Sequence, residues 1–323
     1  RSFLTFFFPC RLAVFQEKIM IDLSIVIGSF NTKDLTLASI DSINKFTRGI
    51  NYEIIVYENA STDGSLEALE KIPGKIKIIR NKTNLGFAGG NNQGIGASKG
   101  KYILLLNSDT YVADNALGEM VHFLNKNPRI GIATTMLKNK DGSIQGTGGY
   151  FPSLLSVFSW MTIQDLPFVD KLIKPFHPQH AKSFFGRGDK FYLSPKYLDW
   201  VGGTAFFIRR EVIQKIGLID PEYFMYTEEV DFCYRAKRAG FRVYYNPSWS
   251  ITHLGGASST SSEFPLLSEY KGIKLFYKKH YPAWQYPILR LLLKIGALGR
   301  IVVFGILEGG AAARLYAKAF WQA

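Results

Sequence analysis

Short apolar runs alternate with helix-forming segments between Met20 and about Ile132, and this alternation constrains the fold more than any other feature of the sequence. The runs LSIVIGSF, YEIIVYEN, KIKIIRN and YILLLNSD are strand candidates, and segments such as TKDLTLASIDSINKF between them have a helical pattern. This order predicts an α/β fold with a mostly parallel central sheet and helices on both faces. Right-handed crossovers would bring the ends of these strands to one edge of the sheet.

Three of the predicted strands end in polar loops, GSFN, ENASTDGS and NSDT. The last loop follows Ile103–Leu106, a continuous apolar run that is typical of a strand covered on both faces. Ligands of open α/β sheets bind beyond the carboxyl ends of the strands, so these polar residues are candidates for ligand contact. Turn formation and helix capping are the alternative, because Asn, Ser, Thr and Asp favour both positions. Glu58 and Asn59 fit that alternative least well, since they close a strand.

Two nucleotide-binding motifs are excluded for the glycine-rich segment NLGFAGGNNQGIGASKGK. A Walker phosphate loop would need glycine in place of Ile95 and Ser or Thr in place of Tyr102. A dinucleotide fingerprint would directly follow the first strand, whereas this segment comes much later. His177 and His180 lie in a proline-rich stretch with no nearby group of carboxylates, so we do not expect a metal site there.

The formal net charge of +13 is compatible with nucleic acid, an anionic membrane or a phosphorylated substrate as a partner. From Glu263 to the last residue there are nine Lys and Arg but three Glu, whereas the preceding part shows no concentrated basic footprint. We therefore expect no nucleic-acid partner. Cys10 and Cys233 provide no disulfide framework, which favours a reducing compartment.

The apolar stretch after His280 is predicted to be an amphipathic helix that lies in the surface of an anionic membrane. A spanning helix is disfavoured, because cations interrupt its best apolar window, Ile288–Leu307. Packing on the rest of the chain or on a second subunit is the other alternative. Aromatic residues that suit the headgroup region flank the stretch, and the interrupting cations lie inside it: Trp284, Tyr286 and Trp321, and Arg290, Lys294 and Arg300.

These patterns divide the chain into three parts. Residues 1–19 begin without Met and precede the first credible strand, so we interpret them as a mis-started or disordered leader. A secretory signal fits them less well, because a proline and an arginine interrupt the apolar stretch. Residues 20–262 form the predicted α/β domain, and residues 263–323 form the basic, apolar, membrane-associating helical region.

The densest acidic group is Glu228, Glu229 and Asp231, at the start of the predicted helix EEVDFCYRAKRAG. Acidic side chains are favourable at a helix N-terminus, so a solvated first turn would explain them without any function. The apolar segment YFMY directly before them is costly to expose, which favours acids that face an enclosed pocket.

A series of motifs resembles inverting glycosyltransferases of family 2, and in particular their rhamnosyltransferase-like branch, over roughly Met20–Ser258. In sequence order they are SIVIGSFN, VYENASTDGS, NLGFAGGNNQGI, LLLNSDT, GTAFFIRREV, FMYTEEVDFCYR and ITHLGG. The resemblance implies the GT-A fold and a nucleotide-sugar site. The residues that it assigns to that site are Ser29, Asn31, Glu58, Asn59, Asp63, Asn84, Gly86, Asn107, Ser108 and Asp109.

The resemblance also implies chemical roles. Glu229 is expected to be the general base that takes the proton of the acceptor hydroxyl, with Glu228 as its neighbour and substitute. Asp109 and His253 are expected to bind a divalent cation, Mg²⁺ or Mn²⁺, which stabilises the departing diphosphate.

Two positions depart from the usual family pattern, because Glu58 and Asn107 each stand where the family commonly has Asp. Glu58 keeps a carboxylate that can accept a hydrogen bond from a pyrimidine N3–H. Asn107 leaves Asp109 as the one carboxylate of its motif, which gives His253 more weight as a second ligand.

The predicted function is metal-dependent, inverting transfer of a sugar, with rhamnose as first candidate, from a dTDP- or UDP-sugar to a lipid-linked or cell-surface glycan. A galactofuranosyl or hexosyl donor is the alternative within the family. A non-catalytic GT-A-like binding module is the alternative of another class, and the presence of Asp109, Glu228 and Glu229 argues against it. The expected location is the cytoplasmic face of the cell membrane, as a peripheral protein. The oligomeric state is left open.

Overall fold

Some sequence predictions fall on residues that the computed structural model does not describe. The predicted leader, residues 1–19, is outside the described part of the chain, and so are His177 and His180. The junction between the two predicted domains is partly outside it as well. The described residues are 20–74, 76–164, 169–176, 188–255 and 263–323.

Within the described residues, ten strands form one central sheet. They are β1 (Leu23–Ser29), β2 (Tyr52–Glu58), β3 (Ile76–Arg80), β4 (Tyr102–Asn107), β5 (Thr110–Val112), β6 (Ile130–Lys138), β7 (Ile144–Gln145), β8 (Lys196–Leu198), β9 (Ala205–Arg209) and β10 (Arg242–His253). Their order is β3-β2-β1-β4-β9-β6-β10-β5, with β7 beside β6 and β8 beside β10. The six strands β1 to β4, β6 and β10 run in one direction.

Helices cover both faces of this sheet. In the described part of the chain they are α1 (Lys33–Phe46), α2 (Ser65–Glu70), α3 (Gly86–Ala97), α4 (Ala116–Lys126), α5 (Leu154–Thr162), α6 (Val169–Leu172), α7 (Gly188–Tyr192), α8 (Arg210–Ile216), α9 (Glu228–Arg238), α10 (Glu263–His280), α11 (Gln285–Leu307) and α12 (Gly310–Gln322). Helices α1, α2 and α4 pack into one apolar core, whereas α3, α5, α9 and the C-terminal helices pack into a second core.

The continuous apolar runs of β1 and β4 follow from this two-sided covering. Ile25 and Leu104 belong to the core on the α1 side, while their neighbours Val26 and Leu105 belong to the core on the α3 side. All four side chains are buried. Because successive residues of a strand face opposite sides of a sheet, neither face can be polar here.

The predicted α/β fold class is confirmed, with one feature that the sequence pattern did not reveal. Strand β9 runs antiparallel between β4 and β6, and the short strands β5, β7 and β8 are also antiparallel to their neighbours. An apolar run such as residues 205–208 indicates a buried strand, but it carries no information about the direction of that strand.

The C-terminal helices pack on the sheet domain through α5. Leu289, Leu293 and Ala297 of α11 are fully buried in the core on the α3 side. Gly296 allows the close approach of α11 to α5, because a Cβ at this position would lie 2.3 Å from Cε of Met161. The C-terminal stretch therefore packs on the rest of the chain, which is the alternative to membrane association given above.

Among the described residues, no helix has both the length and the apolar character required to cross a bilayer.

The opposite side of α11 carries a row of exposed apolar side chains, spaced three or four residues apart as on one face of a helix. Two cations that were predicted to lie against lipid form hydrogen bonds with protein instead. Arg290 donates to the carbonyl of Ala323 and Arg300 donates to the carbonyl of Trp160, both at 2.8 Å. The exposed side chains, 39 to 79% accessible, form what we call the α11 stripe: Ile288, Leu291, Ile295, Leu298, Val302 and Ile306.

Candidate functional site

The polar residues that end β1, β2 and β4 lie at one edge of the sheet. In the parallel register Ser29 is opposite Glu58, and Gly28 is opposite Asn107. The three polar loops that follow these strands therefore emerge side by side, as the sequence predicts. We call this edge, with its loops, the carboxyl edge.

Hydrogen bonds join the loop after β1 to the loop after β2. Asn31 has a φ of 52°, in the left-handed region. Its backbone N–H donates to Ser61 Oγ at 3.0 Å, and its Oδ1 accepts from the N–H of Thr62 at 2.8 Å. The two loops that are predicted to hold the nucleotide are thus fixed to each other before any ligand binds.

Asp63 caps two helices at once. It accepts from the N–H of Lys33 at 2.9 Å, at the start of α1, and from the N–H of Ser65 at 3.0 Å, at the start of α2. Burial acts to raise the pKa of Asp63, but the hydrogen bonds from Ser65 and Lys33 prevail and lower it. The capping alternative from the sequence is therefore present in the structure, and a contact of Asp63 with a nucleotide stays a prediction.

The carboxylate of Glu58 shapes its own loop. Glu58 is buried, and its two oxygens accept from the N–H of Ala60 at 3.1 Å and the N–H of Ser61 at 2.8 Å. A carboxylate offers about four lone-pair positions. A hydrogen bond from a pyrimidine N3–H would therefore add to these bonds, and it stays a prediction.

Asn59 links the end of β2 to the start of α3. Its Nδ2 donates to Asn84 Oδ1 at 3.1 Å, and the same oxygen accepts from the N–H of Gly86 at 2.9 Å. Gly86 has a φ of +69°, and a Cβ there would lie 2.5 Å from the carbonyl oxygen of Phe224. Phe87 donates its N–H to that oxygen at 3.0 Å. Glycine thus lets α3 begin against the loop that precedes α9.

Two predicted serines are bonded inside the fold. Ser29 Oγ lies 3.3 Å from the hydroxyl of Thr36, and Ser108 Oγ lies 3.1 Å from the hydroxyl of Thr32. All four side chains are buried. These contacts fix α1 to the carboxyl edge, and direct contact of either serine with a nucleotide sugar stays a prediction.

Asp109 and His253 meet at the carboxyl edge although they are far apart in the sequence. Strand β10 pairs with β5, so that His253 is opposite Thr110, and Leu254 donates its N–H to the carbonyl of Asp109 at 2.9 Å. As a result His253 Nε2 lies 3.2 Å from Asp109 Oδ1 and 3.4 Å from Asn107 Nδ2.

This pair fits two neighbouring ligands of one octahedral cation. Ligand atoms on adjacent corners of an ion with bonds of about 2.1 Å lie roughly 3 Å apart, close to the 3.2 Å between His253 Nε2 and Asp109 Oδ1. A carboxylate suits Mg²⁺ and Mn²⁺, and such ions commonly keep water and substrate phosphate oxygens as further ligands. Among the described residues there is no group of three or more His, Cys, Asp or Glu side chains that could hold a metal.

Glu228 and Glu229 begin α9 with carboxyl oxygens that are not satisfied. Oε2 of each is buried and has no hydrogen-bond partner among the residues that the structure describes. Glu228 is 4% exposed, whereas Glu229 is partly exposed. Tyr226 and Thr227, directly before them, have φ values of 71° and 77°, which side chains of this size rarely adopt. Such strain beside acids that each have a buried, unsatisfied carboxyl oxygen is typical of functional sites.

The two acids differ in their affinity for a proton. Burial raises the pKa of Glu229 to about 7, with a further contribution from the charge of Glu269. Burial and the charge of Glu229 raise the pKa of Glu228 well above its usual range. Of the two acids Glu228 therefore holds its proton more strongly, and Glu229 is close to its midpoint near neutral pH. Such a midpoint suits a general base.

Asp231, the third acid of the group, is engaged in ion pairs. It is 1% exposed, and its carboxylate lies 2.7 Å from Arg235 Nε and 2.6 Å from His280 Nε2. Burial acts to raise the pKa of Asp231, but the bonds to His280 and Arg235 lower it. Asp231 therefore anchors α9 to α10.

Sequence reasoning missed three residues that contact the site. His280 holds Asp231, and Gln145 Oε1 lies 2.6 Å from His253 Nδ1. Tyr57 lies under Gly28, where a Cβ would be 2.3 Å from the tyrosine oxygen. Tyr57 could have been found from the sequence of β2, because successive side chains of a strand face opposite sides of the sheet. Gln145 and His280 approach the site through long-range contacts, which leave no local sequence pattern.

Comparison with known proteins finds a matching protein family and a similar relative. A family model described as "Glycosyl transferase family 2" matches residues 24–217. An N-acetylglucosaminyl-diphospho-decaprenol L-rhamnosyltransferase of Mycobacterium tuberculosis is 23% identical over 254 residues, which cover 75% of this chain and 79% of that protein.

Two solved structures share the fold. A structure of GalNAc-T7 with UDP, GalNAc and Mn²⁺ superposes with a TM-score of 0.60 at 16% identity, over 87% of this chain and about half (51%) of that one. A mannosyltransferase of Pyrobaculum calidifontis in complex with GDP-Man and Mn²⁺ has a TM-score of 0.53 at 13% identity, over 94% of this chain and 74% of that one. At these identities the likeness shows the fold alone.

Proposed function

The chain belongs to glycosyl transferase family 2, and we propose that it transfers a sugar, with inversion and with a divalent cation, from a nucleoside diphosphate to a lipid-linked or cell-surface glycan. Rhamnose on dTDP is the first candidate donor, and a galactofuranosyl or hexosyl donor is the alternative. The name of the mycobacterial relative, which includes both rhamnose and a diphospho-decaprenol, supports the first choice and a lipid-linked acceptor.

One observation carries the proposal. The fold combines a cation-compatible pair, Asp109 and His253, with a buried acid pair whose more accessible member, Glu229, has a pKa of about 7. Two structurally similar proteins hold Mn²⁺ with a nucleotide or a nucleotide sugar, which is consistent with the first half of this arrangement.

The proposed reaction is a direct displacement at the anomeric carbon. The acceptor hydroxyl oxygen forms a bond to that carbon on the face opposite the diphosphate, while the bond between the carbon and the diphosphate oxygen breaks. The proton of the hydroxyl passes to the carboxylate of Glu229, and the raised pKa of Glu228 beside it disfavours a second negative charge there. Asp109 and His253 would hold the cation, which would supply positive charge to stabilise the departing diphosphate.

Donor recognition is assigned to the loops of the carboxyl edge. Their bonds to each other mean that little ordering would be needed when a nucleotide binds. Within these loops Glu58 is the proposed acceptor for the pyrimidine N3–H, in addition to its two backbone bonds. The other proposed contacts are Ser29, Asn31, Asn59, Asp63, Asn84, Gly86, Asn107 and Ser108.

The test of the function is nucleotide release from a panel of donors, together with the anomeric configuration of the product. Inversion predicts a configuration opposite to that of the donor, which NMR of the product reads directly. Retention of configuration would contradict the proposed displacement.

The pH dependence of transfer should follow Glu229. Since the base must be ionised to accept a proton, we expect kcat/KM to rise as the pH increases through about 7 and to fall below it. A pH–rate profile of the wild type and of Glu229→Gln checks this, with the inflection present in the first and absent from the residual activity of the second. A wild-type profile that is flat between about pH 6 and pH 8 would oppose the assignment.

A peripheral location at the cytoplasmic face of the membrane completes the proposal. The α11 stripe supports it, because a row of exposed apolar side chains on a helix fixed to the domain can enter the interfacial region of a bilayer. Trp284, directly before α11, and Trp321, in the last turn of α12, are 61% and 81% exposed. Because Arg290 and Arg300 form hydrogen bonds with protein, membrane binding by this face would depend on the burial of apolar side chains more than on these charges.

Replacing Leu291 and Leu298 together with glutamate should release the protein from vesicles. Each leucine buried in lipid contributes about 1.5 kcal/mol or more, so losing both should weaken partitioning by roughly 100-fold or more. Flotation with vesicles that contain anionic lipid measures this.

Leu218→Glu, at a leucine that is 45% exposed but outside the stripe, is the matched control and should float like the wild type. Failure of the wild type to float at low salt would remove the membrane proposal and leave the stripe as a packing or oligomer surface.

A further inference from the structure

A chain of hydrogen bonds leads from the hairpin between β6 and β7 to His253. His253 Nδ1 lies 2.6 Å from Gln145 Oε1, and Gln145 Nε2 donates to Asn139 Oδ1 at 3.1 Å. Asn139 Nδ2 in turn donates to Ser143 Oγ at 3.0 Å, and Ser143 Oγ donates to a carboxylate oxygen of Asp141 at 2.5 Å. We call these four hairpin residues the hairpin relay.

The direction of each bond in the relay follows from its far end. An ionised carboxylate only accepts, so Asp141 takes the one hydroxyl proton of Ser143. The Ser143 oxygen can then only accept from Asn139, which must present its Nδ2 and leave Oδ1 for Gln145. Gln145 must therefore present Nε2 to Asn139 and Oε1 to His253.

This order determines which ring nitrogen of His253 keeps its proton. Because Gln145 Oε1 can only accept, Nδ1 must be the nitrogen that carries hydrogen. The other nitrogen, Nε2, is the one that lies 3.2 Å from Asp109 Oδ1. Two acceptor atoms at this distance repel each other unless a cation or a proton lies between them, and the nearby donor to Nε2, Asn107 Nδ2, is farther away at 3.4 Å.

We propose that Gln145 is a positioning residue for the cation site, which holds His253 with Nδ1 protonated and the Nε2 lone pair directed at Asp109. The cation itself is part of the proposed function, and in that respect this inference rests on it. The assignment gives the two-residue strand β7 a role: it pairs with the end of β6 that also pairs with β10, which sets Gln145 beside His253. Partners of this kind commonly contribute 10- to 100-fold to metal affinity.

The tautomer can be measured without metal or sugar. We expect ¹⁵N NMR of the metal-free full chain, at a pH where the ring is neutral, to show Nδ1 protonated and Nε2 unprotonated for His253. The resonance is assigned by its loss in His253→Ala. In Gln145→Leu the proton should move to Nε2, because Asp109 is then the acceptor that remains. A wild-type ring that is protonated on Nε2 would overturn the inference.

Cation binding provides the second measurement. Titration of Mn²⁺ in the presence of UDP, followed by electron paramagnetic resonance of the free ion, should show a 10- to 100-fold loss of affinity in Gln145→Leu. Gln145→Glu, which keeps an acceptor for Nδ1–H, should stay near the wild type. Gln214→Leu, at an exposed glutamine of α8, is the matched control for the loss of an amide. Equal affinity in the wild type and Gln145→Leu would overturn the inference.

The outcomes separate this inference from the proposed function. Mn²⁺ binding that depends on Asp109 and His253 but not on Gln145 refutes the positioning role alone. Absence of nucleotide release with every donor refutes the function, whereas the tautomer of His253 and its response to Gln145→Leu are measured independently of any donor.

Discussion

Glu229→Gln is expected to lower the rate of sugar transfer by roughly 10²- to 10⁴-fold, the usual contribution of a general base. Glutamine keeps the shape of the side chain but cannot accept the proton of the acceptor hydroxyl. Donor binding should stay unchanged, because no step of that binding uses the base. Steady-state rates measure the first effect, and calorimetric titration of a nucleoside diphosphate with Mn²⁺ measures the second.

Two further variants sharpen this expectation. Glu119→Gln changes an exposed acid in the first turn of α4 and should retain full activity. Glu228→Gln should be milder than Glu229→Gln, because burial and the charge of Glu229 raise the pKa of Glu228 and so disfavour the ionised form that a base needs. If Glu228→Gln abolishes transfer and Glu229→Gln does not, then Glu228 is the general base and the assignment to Glu229 is wrong.

Asp109→Ala is expected to abolish transfer for a different reason, through the loss of cation-dependent donor binding. Asp109 is the one carboxylate of its motif, and its removal leaves His253 as the remaining side chain of the pair. The loss of affinity for a nucleoside diphosphate with Mn²⁺ should exceed the roughly 10- to 100-fold that outer partners contribute. Binding without the cation should change little.

Asp114→Ala is the control, since Asp114 is exposed and follows β5 a few residues later. It should bind the nucleoside diphosphate and Mn²⁺ like the wild type. If Asp109→Ala and Glu229→Gln lose donor binding to the same extent, the separate roles assigned to the two carboxylates are wrong.

The sequence was sufficient to predict the strands and helices between Met20 and about Ile132, and the edge of the sheet where the polar residues proposed to bind the nucleotide lie. Apolar runs with alternating helical segments allow few arrangements, and parallel strands fix where the polar loops emerge. The runs before Glu58 and Asn107 are examples, because each ends at the predicted edge.

Contacts between distant segments could not be predicted in the same way. The meeting of Asp109 with His253 depends on the pairing of β5 with β10, and β5 is three residues long. The direction of β9 and the approach of Gln145 to His253 also depend on the path of the whole chain. A periodic pattern reports how a segment is buried, but not which other segment buries it.

In the C-terminal region, packing on the chain does not exclude an exposed apolar face on the same helix. The helix α11 packs on α5 through residues such as Leu293, yet its opposite side is apolar and exposed at residues such as Leu298. An amphipathic pattern was expected to have one apolar face, and here the packed face and the exposed face are both largely apolar. The spacing of its cations did not predict their partners. Arg300, for example, donates to the carbonyl of Trp160 in α5.

The most direct test of the central claim is release of nucleoside diphosphate from a panel of nucleotide sugars, measured with the full chain, Mn²⁺ and a membrane extract that supplies lipid-linked acceptors. We expect release from at least one dTDP- or UDP-sugar, which requires Mn²⁺ and is lost in both Asp109→Ala and Glu229→Gln. Absence of release with every donor, or equal release by the wild type and Glu229→Gln, would contradict it.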